Sequence, residues 1–250
     1  MPDRSNLVYR YDGTYQGFLC CVAQCFTDKG LPQAVQRWEE PQATLFPLQG
    51  VDTDLDLARR VERSIRAKAS PEALHWVRDG FLSCEAQKEL LLIRFVLLGY
   101  KYGAKVTGLT VQPDVCAVWK TVRAVRNEAH CYLEFLRFSD LEGFLVGELA
   151  PKNTVLPLIA GHFCDRLPEE DFVLYDRTHA MGFFHRRGGQ REFFHADSID
   201  LPAPGEEEQR YRALWKGFYR AIAIEGRRNP KLRRSMMPLR YWPDLTEFQP

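Results

Sequence analysis

No run of about 18 consecutive apolar residues occurs in the 250-residue chain, so no stretch of it reads as a membrane-spanning helix. The opening Met1 to Tyr11 carries charges where a secretory signal would need an apolar core, and the protein is expected to be cytoplasmic and to have no membrane partner. Neither the dinucleotide-binding glycine fingerprint nor a phosphate-binding P-loop is present, and Gly188-Gly189 lies between strand candidates with no helix behind it. Nucleotide hydrolysis is therefore not expected. Paired zinc-ligand spacings are missing too, and no metal site is assigned. The seven cysteines are odd in number and mostly flanked by apolar residues, which suits reduced core thiols rather than a disulfide framework. Cys21 and Cys25 have the first spacing of an iron-sulfur loop, but Asp28 stands where the third ligand would be. Charge of one sign is also lacking: 34 basic side chains face 33 acidic ones, so only local charge is informative.

What is present is a chain that is 45% hydrophobic and long enough to bury a sizeable core. Leu7 to Tyr11 alternates like a strand, Asp12-Gly13 makes a turn, and Phe18 to Phe26 reads as a buried helix. After a proline-containing loop from Leu31 to Gly50, Asp54 can cap a helix to about Lys68, and Ser70-Pro71 opens another. Glu85 to Tyr100 and Gln112 to His130 carry apolar residues at helical spacing. The second half changes period. Tyr132 to Phe138 and Phe144 to Leu149 read as a hairpin joined by Ser139 to Gly143, then a helix runs from about Asn153 to Arg166. Phe172 to Tyr175, Ala180 to His185 and Arg191 to His195 are three more strand candidates, and a last helix follows from about Glu206 to Glu225. The fold class is α+β: an antiparallel sheet packed with helices, plus a mainly helical N-terminal lobe. The expected division is 1–130, the strand-turn-helix and helical lobe, and 131–250, the sheet with its basic helix and tail, within what one compact domain could hold.

From Arg210 to Trp242 there are ten basic residues against one acid, Glu225, with Trp215, Tyr219, Tyr241 and Trp242 interleaved. Positive charge for phosphates and aromatic faces for unstacked bases are what a nucleic-acid strand requires. A solvated helix face with a docked tail, or a scaffold that docks on an acidic protein, has the same composition.

Arg227-Arg228-Asn229-Pro230-Lys231-Leu232 and Met237-Pro238-Leu239-Arg240-Tyr241-Trp242 resemble the closing signature of a bacterial family assigned to DNA repair or DNA metabolism. The opening Tyr11 to Leu19, the blocks Glu128 to His130 and Phe135 to Phe138, and Asn153 to Leu158 with His162, Phe163 and Arg166 are similar to its other blocks, so the resemblance spans nearly the whole chain. In that family the C-terminal domain is of unknown function, occurs alone or fused to a uracil-DNA glycosylase-like domain, and stand-alone members are paired with a DNA-modification radical SAM protein. The resemblance implies a DNA-binding repair or metabolism protein with that partner. The iron-sulfur cluster and SAM would then sit in the partner, with no cofactor in this chain.

Within the matched blocks, nucleic-acid contacts are expected from Arg137, Arg166, Arg227, Arg228, Asn229, Lys231, Arg233, Arg240, Tyr241 and Trp242. His130 and His162 are the catalytic candidates, since an imidazole moves protons near neutral pH. Either histidine also fits a hydrogen-bonded structural position at a helix end. Asp12 reads as a turn-former that caps the following helix, and Asp165 and Asp176 are carboxylates with no partner placed beside them. An enzyme acting itself on a damaged or modified base is the alternative reading.

Overall fold

The computed structural model describes residues 6–39 and 43–249. Part of the opening segment used to argue against a secretory signal, and residues 40–42 of the Leu31 to Gly50 loop, lie outside the described residues. The chain divides into two compact units, Met1–Val125 and Arg126–Pro250, and the boundary falls inside one helix.

The first unit is organised by a tight turn after strand β1, Val8–Tyr11. Asp12 Oδ1 accepts from the Thr14 amide at 2.9 Å and its hydroxyl at 2.7 Å, while Oδ2 accepts from the Thr53 hydroxyl at 2.7 Å. Burial alone would raise the Asp12 pKa, but these donors hold it below the usual carboxylate value. Thr14 in turn caps helix α1, Tyr15–Thr27, by accepting from the Gly17 amide. The strand, turn and helix expected at the start are all present.

The Leu31 to Gly50 segment departs from its reading as a loop. It contributes β2, Ala34–Arg37, and β3, Leu48–Gly50, which pair in parallel on either side of β1. Strands of four and three residues are too short to display a hydrophobic period, and the prolines between them read as punctuation. The helices α2, Leu55–Lys68, and α3, Pro71–Phe81, begin on Asp54 and Ser70 as their caps predict. With α4, Lys88–Tyr102, and the first half of α5, Pro113–Phe135, they bury one core that includes Phe18, Ile65, Trp76, Phe95 and Val118.

The second unit is a five-stranded sheet of order β4-β5-β6-β7-β8, comprising Phe138–Leu141, Phe144–Leu149, Phe172–Asp176, Met181–His185 and Arg191–His195. Three of its pairings are antiparallel, but β5 and β6 run parallel, joined through helix α6, Leu156–Arg166. The sheet is therefore mixed. A helix-length crossover returns the chain in its original direction, and the periodicity of separate strands carries no information on that direction. The first strand of the hairpin is also displaced: Tyr132 to Phe135 are the last turn of α5, and Ser139 to Leu141, expected in the loop, are strand residues paired with β5, which leaves only Glu142 and Gly143 between the strands. Tyr132 and Ala129 belong to one helical face over the second core, a spacing that overrides the strand propensity of an aromatic run. After the sheet come α7, Glu206–Ala221, and α8, Pro230–Met236. The α+β class stands, with a helical N-terminal region and sheets packed on helices. Among the described residues no helix is long and apolar enough to cross a membrane.

Gly17 shows how tightly the opening motif closes. A Cβ there would lie 2.2 Å from Asp12 Oδ1 and 2.7 Å from Thr53 Oγ1, so the turn cannot keep its hydrogen bonds around a methyl group. Gly17→Ala is expected to cost about 1–3 kcal/mol in urea unfolding, despite the higher helix propensity of alanine.

Candidate nucleic-acid interface

The C-terminal segment is attached to the second unit through one buried carboxylate. Glu128, on α5 with its side chain 3% exposed, accepts from the backbone amides of Lys152 and Asn153 at 3.0 and 2.9 Å and from the Asn153 side chain. Its fourth donor is the Arg240 guanidinium, 2.9 Å away. Both oxygens of this buried carboxylate therefore have two donors each. Burial works against the Arg240 charge, but the Tyr241 and Glu128 oxygens outweigh it and push its pKa further up.

Arg240 brings Tyr241 into the core. That ring is 2% exposed and lies edge-on to Tyr132, with Phe135 beside it. Trp242 stacks on Phe248 at 4.4 Å and donates from Nε1 to the Met237 carbonyl. Arg233 lies over the Trp242 and Phe248 rings at 4.9 and 5.3 Å, and Asn229 caps α8 through the Leu232 amide. Arg240, Tyr241, Trp242 and Arg233 thus hold the segment in place, and Asn229 shapes the start of α8.

Arg137 is a second attachment point. Its Nη1 lies 3.3–3.4 Å from the carbonyls of Glu134, Phe135 and Leu136, so it closes the C-terminus of α5. Its Nη2 donates to Glu247 at 2.9 Å, and Trp215 Nε1 donates to the other oxygen of the same carboxylate at 3.0 Å. Arg137 Nε is buried without a partner. Next to it Arg212 donates to Glu208 and to the Ser139 hydroxyl, each at 2.6 Å. Arg137, Arg166 and Arg212 line one cavity of about 390 Å³ together with Tyr211 and Trp215. Arg166, at the end of α6, is exposed and makes no ion pair among the described residues.

Five further cations are different in kind. Arg220, Arg227, Arg228, Lys231 and Arg234 are exposed and make no side-chain ion pair among the described residues. Arg220, Arg227 and Arg228 line a groove of about 760 Å³ with Tyr219, Ile222, Ile224 and Leu232. The expected contact residues therefore separate into an inner set that anchors the segment and an outer set, Arg166, Arg227, Arg228 and Lys231, whose charge faces water.

His130 and His162 are both exposed. His130 Nε2 lies 3.1 Å from Glu134 one turn along α5, and the His162 ring meets Phe163 edge-on. No hydrogen bond joins the two histidines. Asp176 is buried at the end of β6 and receives the amides of Thr178 and His179 as well as the His179 ring. Among the described residues no group of three or more His, Cys, Asp or Glu side chains could hold a metal ion. Burial raises the pKa values of Cys20, Cys21 and Cys25, the last to about 12, so these thiols stay protonated.

Glu128 and Asn153 stand in blocks that carry the family resemblance, but neither was singled out as a functional residue. A lone carboxylate in a helix and an asparagine in a loop have no spacing relation in sequence, and only the fold joins them. Glu247, which binds Arg137 and Trp215, was legible in no motif at all.

Burial would raise the Glu247 pKa, but the Arg137 and Trp215 hydrogen bonds together lower it below the usual value. A carboxylate with a lowered folded pKa adds stability above its unfolded value of about 4.3 and loses it as pH falls through the folded value. Glu247→Gln is expected to lower stability at pH 7 by about 1–3 kcal/mol and to flatten the acid limb of a urea-unfolding series. An unchanged acid limb would remove Glu247 from this role.

The family model for a domain of unknown function, DUF4130, matches residues 86–247. No curated protein and no solved structure matches the chain.

Proposed function

The chain belongs to the DUF4130 family, and on that premise we propose that it is a nucleic-acid-binding protein of DNA repair or metabolism. The observation that carries this reading is the set of exposed cations Arg220, Arg227, Arg228, Lys231 and Arg234, none of them in an ion pair among the described residues, on a segment that Arg212, Arg233 and Arg240 hold in place. Displacing condensed counterions from a phosphate backbone favours binding at unpaired surface cations. Trp215, 40% exposed and within 5.8 Å of the Arg137 guanidinium, offers a ring on which an unstacked base can lie, and Tyr211 lines the same cavity. Arg166 adds a guanidinium that can meet a phosphate with two parallel hydrogen bonds.

The radical SAM partner rests on the resemblance of the closing blocks. In this reading the chain presents a DNA strand, and the iron-sulfur cluster and SAM belong to the partner. Chemistry within this chain at His130 or His162 draws no support from their exposed positions on two separate helices.

Fluorescence anisotropy with a labelled oligonucleotide across a salt series tests the binding. The logarithm of affinity is expected to fall by about 0.7 per engaged phosphate for a single strand and about 0.9 for a duplex. Replacing Arg227, Arg228, Lys231 and Arg234 together by glutamine should weaken binding at least about tenfold and make that slope shallower. Affinity that stays flat across salt, or no binding to either form of DNA, would sink the proposal.

A further inference from the structure

Helix α7 presents three faces along its 16 residues. One is turned inward: Glu208 receives the Asp140 amide, Arg212 reaches Ser139, Trp215 reaches Glu247 and the Tyr219 ring meets Phe248. A second carries Tyr211, Leu214, Phe218 and Ile222 in a single stripe, exposed by 61, 59, 53 and 58%. Large apolar side chains this exposed, at one helical spacing, mark a surface that meets another macromolecule.

The third face lies beside the stripe. Ala213, Gly217 and Ala221 repeat every four residues and are all exposed, and a Cβ built on Gly217 meets nothing within 4 Å. A glycine in mid-helix costs roughly 0.5–1 kcal/mol relative to alanine. No neighbour within the chain requires its small size. A ridge of large residues next to a groove of small ones is the surface one helix offers to another for close approach.

Charge selects the partner helix. The first turn of α7 holds Glu206 and Glu207, and Arg210 and Arg220 follow, none of them in an ion pair among the described residues. We infer that α7 pairs antiparallel with α7 of a second copy of this chain. With the two-fold axis at Leu214, that residue packs on its own counterpart, Arg210 lies opposite Phe218, Glu207 lies opposite Ala221, and Glu206 lies on the same flank of the seam as the other copy's Arg220. The acidic end of each helix then meets the basic end of the other, and the unpaired cations of α8 stay at the two far ends, where their repulsion is least. An anionic lipid surface would meet Glu206 and Glu207. The pairing would cover Tyr211 and Ile222 and engage Arg220, which border the proposed DNA surface, but it leaves Arg227, Arg228, Lys231 and Arg234 exposed, so the oligonucleotide titration and the mass measurement test the two proposals separately.

Sedimentation equilibrium of the full chain tests it. The wild type is expected at twice its monomer mass of 29.0 kDa. Gly217→Leu, which fills the groove with a strong helix former, and Leu214→Asp should each give the monomer, with circular dichroism confirming that both remain folded. Glu206→Arg and Arg220→Glu should each weaken dimerisation by about tenfold, and the double variant should recover most of it. A wild type that stays monomeric at every concentration, or a dimer that tolerates both Gly217→Leu and Leu214→Asp, would overturn the inference.

Discussion

A single buried carboxylate anchors the second unit. Glu128 collects two backbone amides, one side-chain amide and one guanidinium, so every lone pair that burial takes from water is returned a donor. Because Lys152 and Asn153 precede α6 and Arg240 lies nearly ninety residues later in the chain, this one side chain ties the sheet's crossover to the C-terminal segment. Removing Arg240 would leave the buried Glu128 carboxylate short of one of its four donors. The outward display of the remaining cations depends on that attachment. A segment without it would be a loose basic tail, with its aromatic rings collapsed on whatever apolar surface was nearest.

The second anchor works on the same principle with different donors. Arg137 closes the last turn of α5 and shares Glu247 with Trp215, so the indole is oriented by a hydrogen bond while its ring stays partly in solvent. In the proposed nucleic-acid complex this orientation would set the ring plane before a base stacks on it. The cost is a buried Arg137 Nε without a partner. Helix α7 thereby serves two surfaces: Trp215 and Arg212 face the arginine-lined cavity, and Leu214 with Phe218 faces away from it.

Local signals in the sequence were strong wherever the chain caps or turns on itself. Thr14, Asp54 and Ser70 each announce a helix start, and each accepts the amide hydrogen bonds its position requires. The basic, aromatic character of Arg210 to Trp242 was equally plain, but composition treats all ten cations alike. Arg233 and Arg240 differ from Arg228 and Arg234 only in what lies opposite them after folding, and Glu128 is distant in sequence. The parallel strands β2 and β3 were hidden for a related reason: three or four residues acquire a strand conformation from their partner β1, with little preference of their own. Tyr132 to Phe135 could serve as helix or strand by residue type, and packing with Ala129 over one core decided it.

The central claim is that anchoring and contact are divided between two sets of arginines on one segment. Arginine-specific modification by phenylglyoxal, mapped by mass spectrometry with and without a bound oligonucleotide, measures that division directly. The account predicts that Arg166, Arg227, Arg228 and Arg234 react in the free protein and are protected by DNA, while Arg137 and Arg240 react slowly in both states. Protection centred on Arg240, or no change at Arg227 and Arg228 when the oligonucleotide is bound, would contradict it.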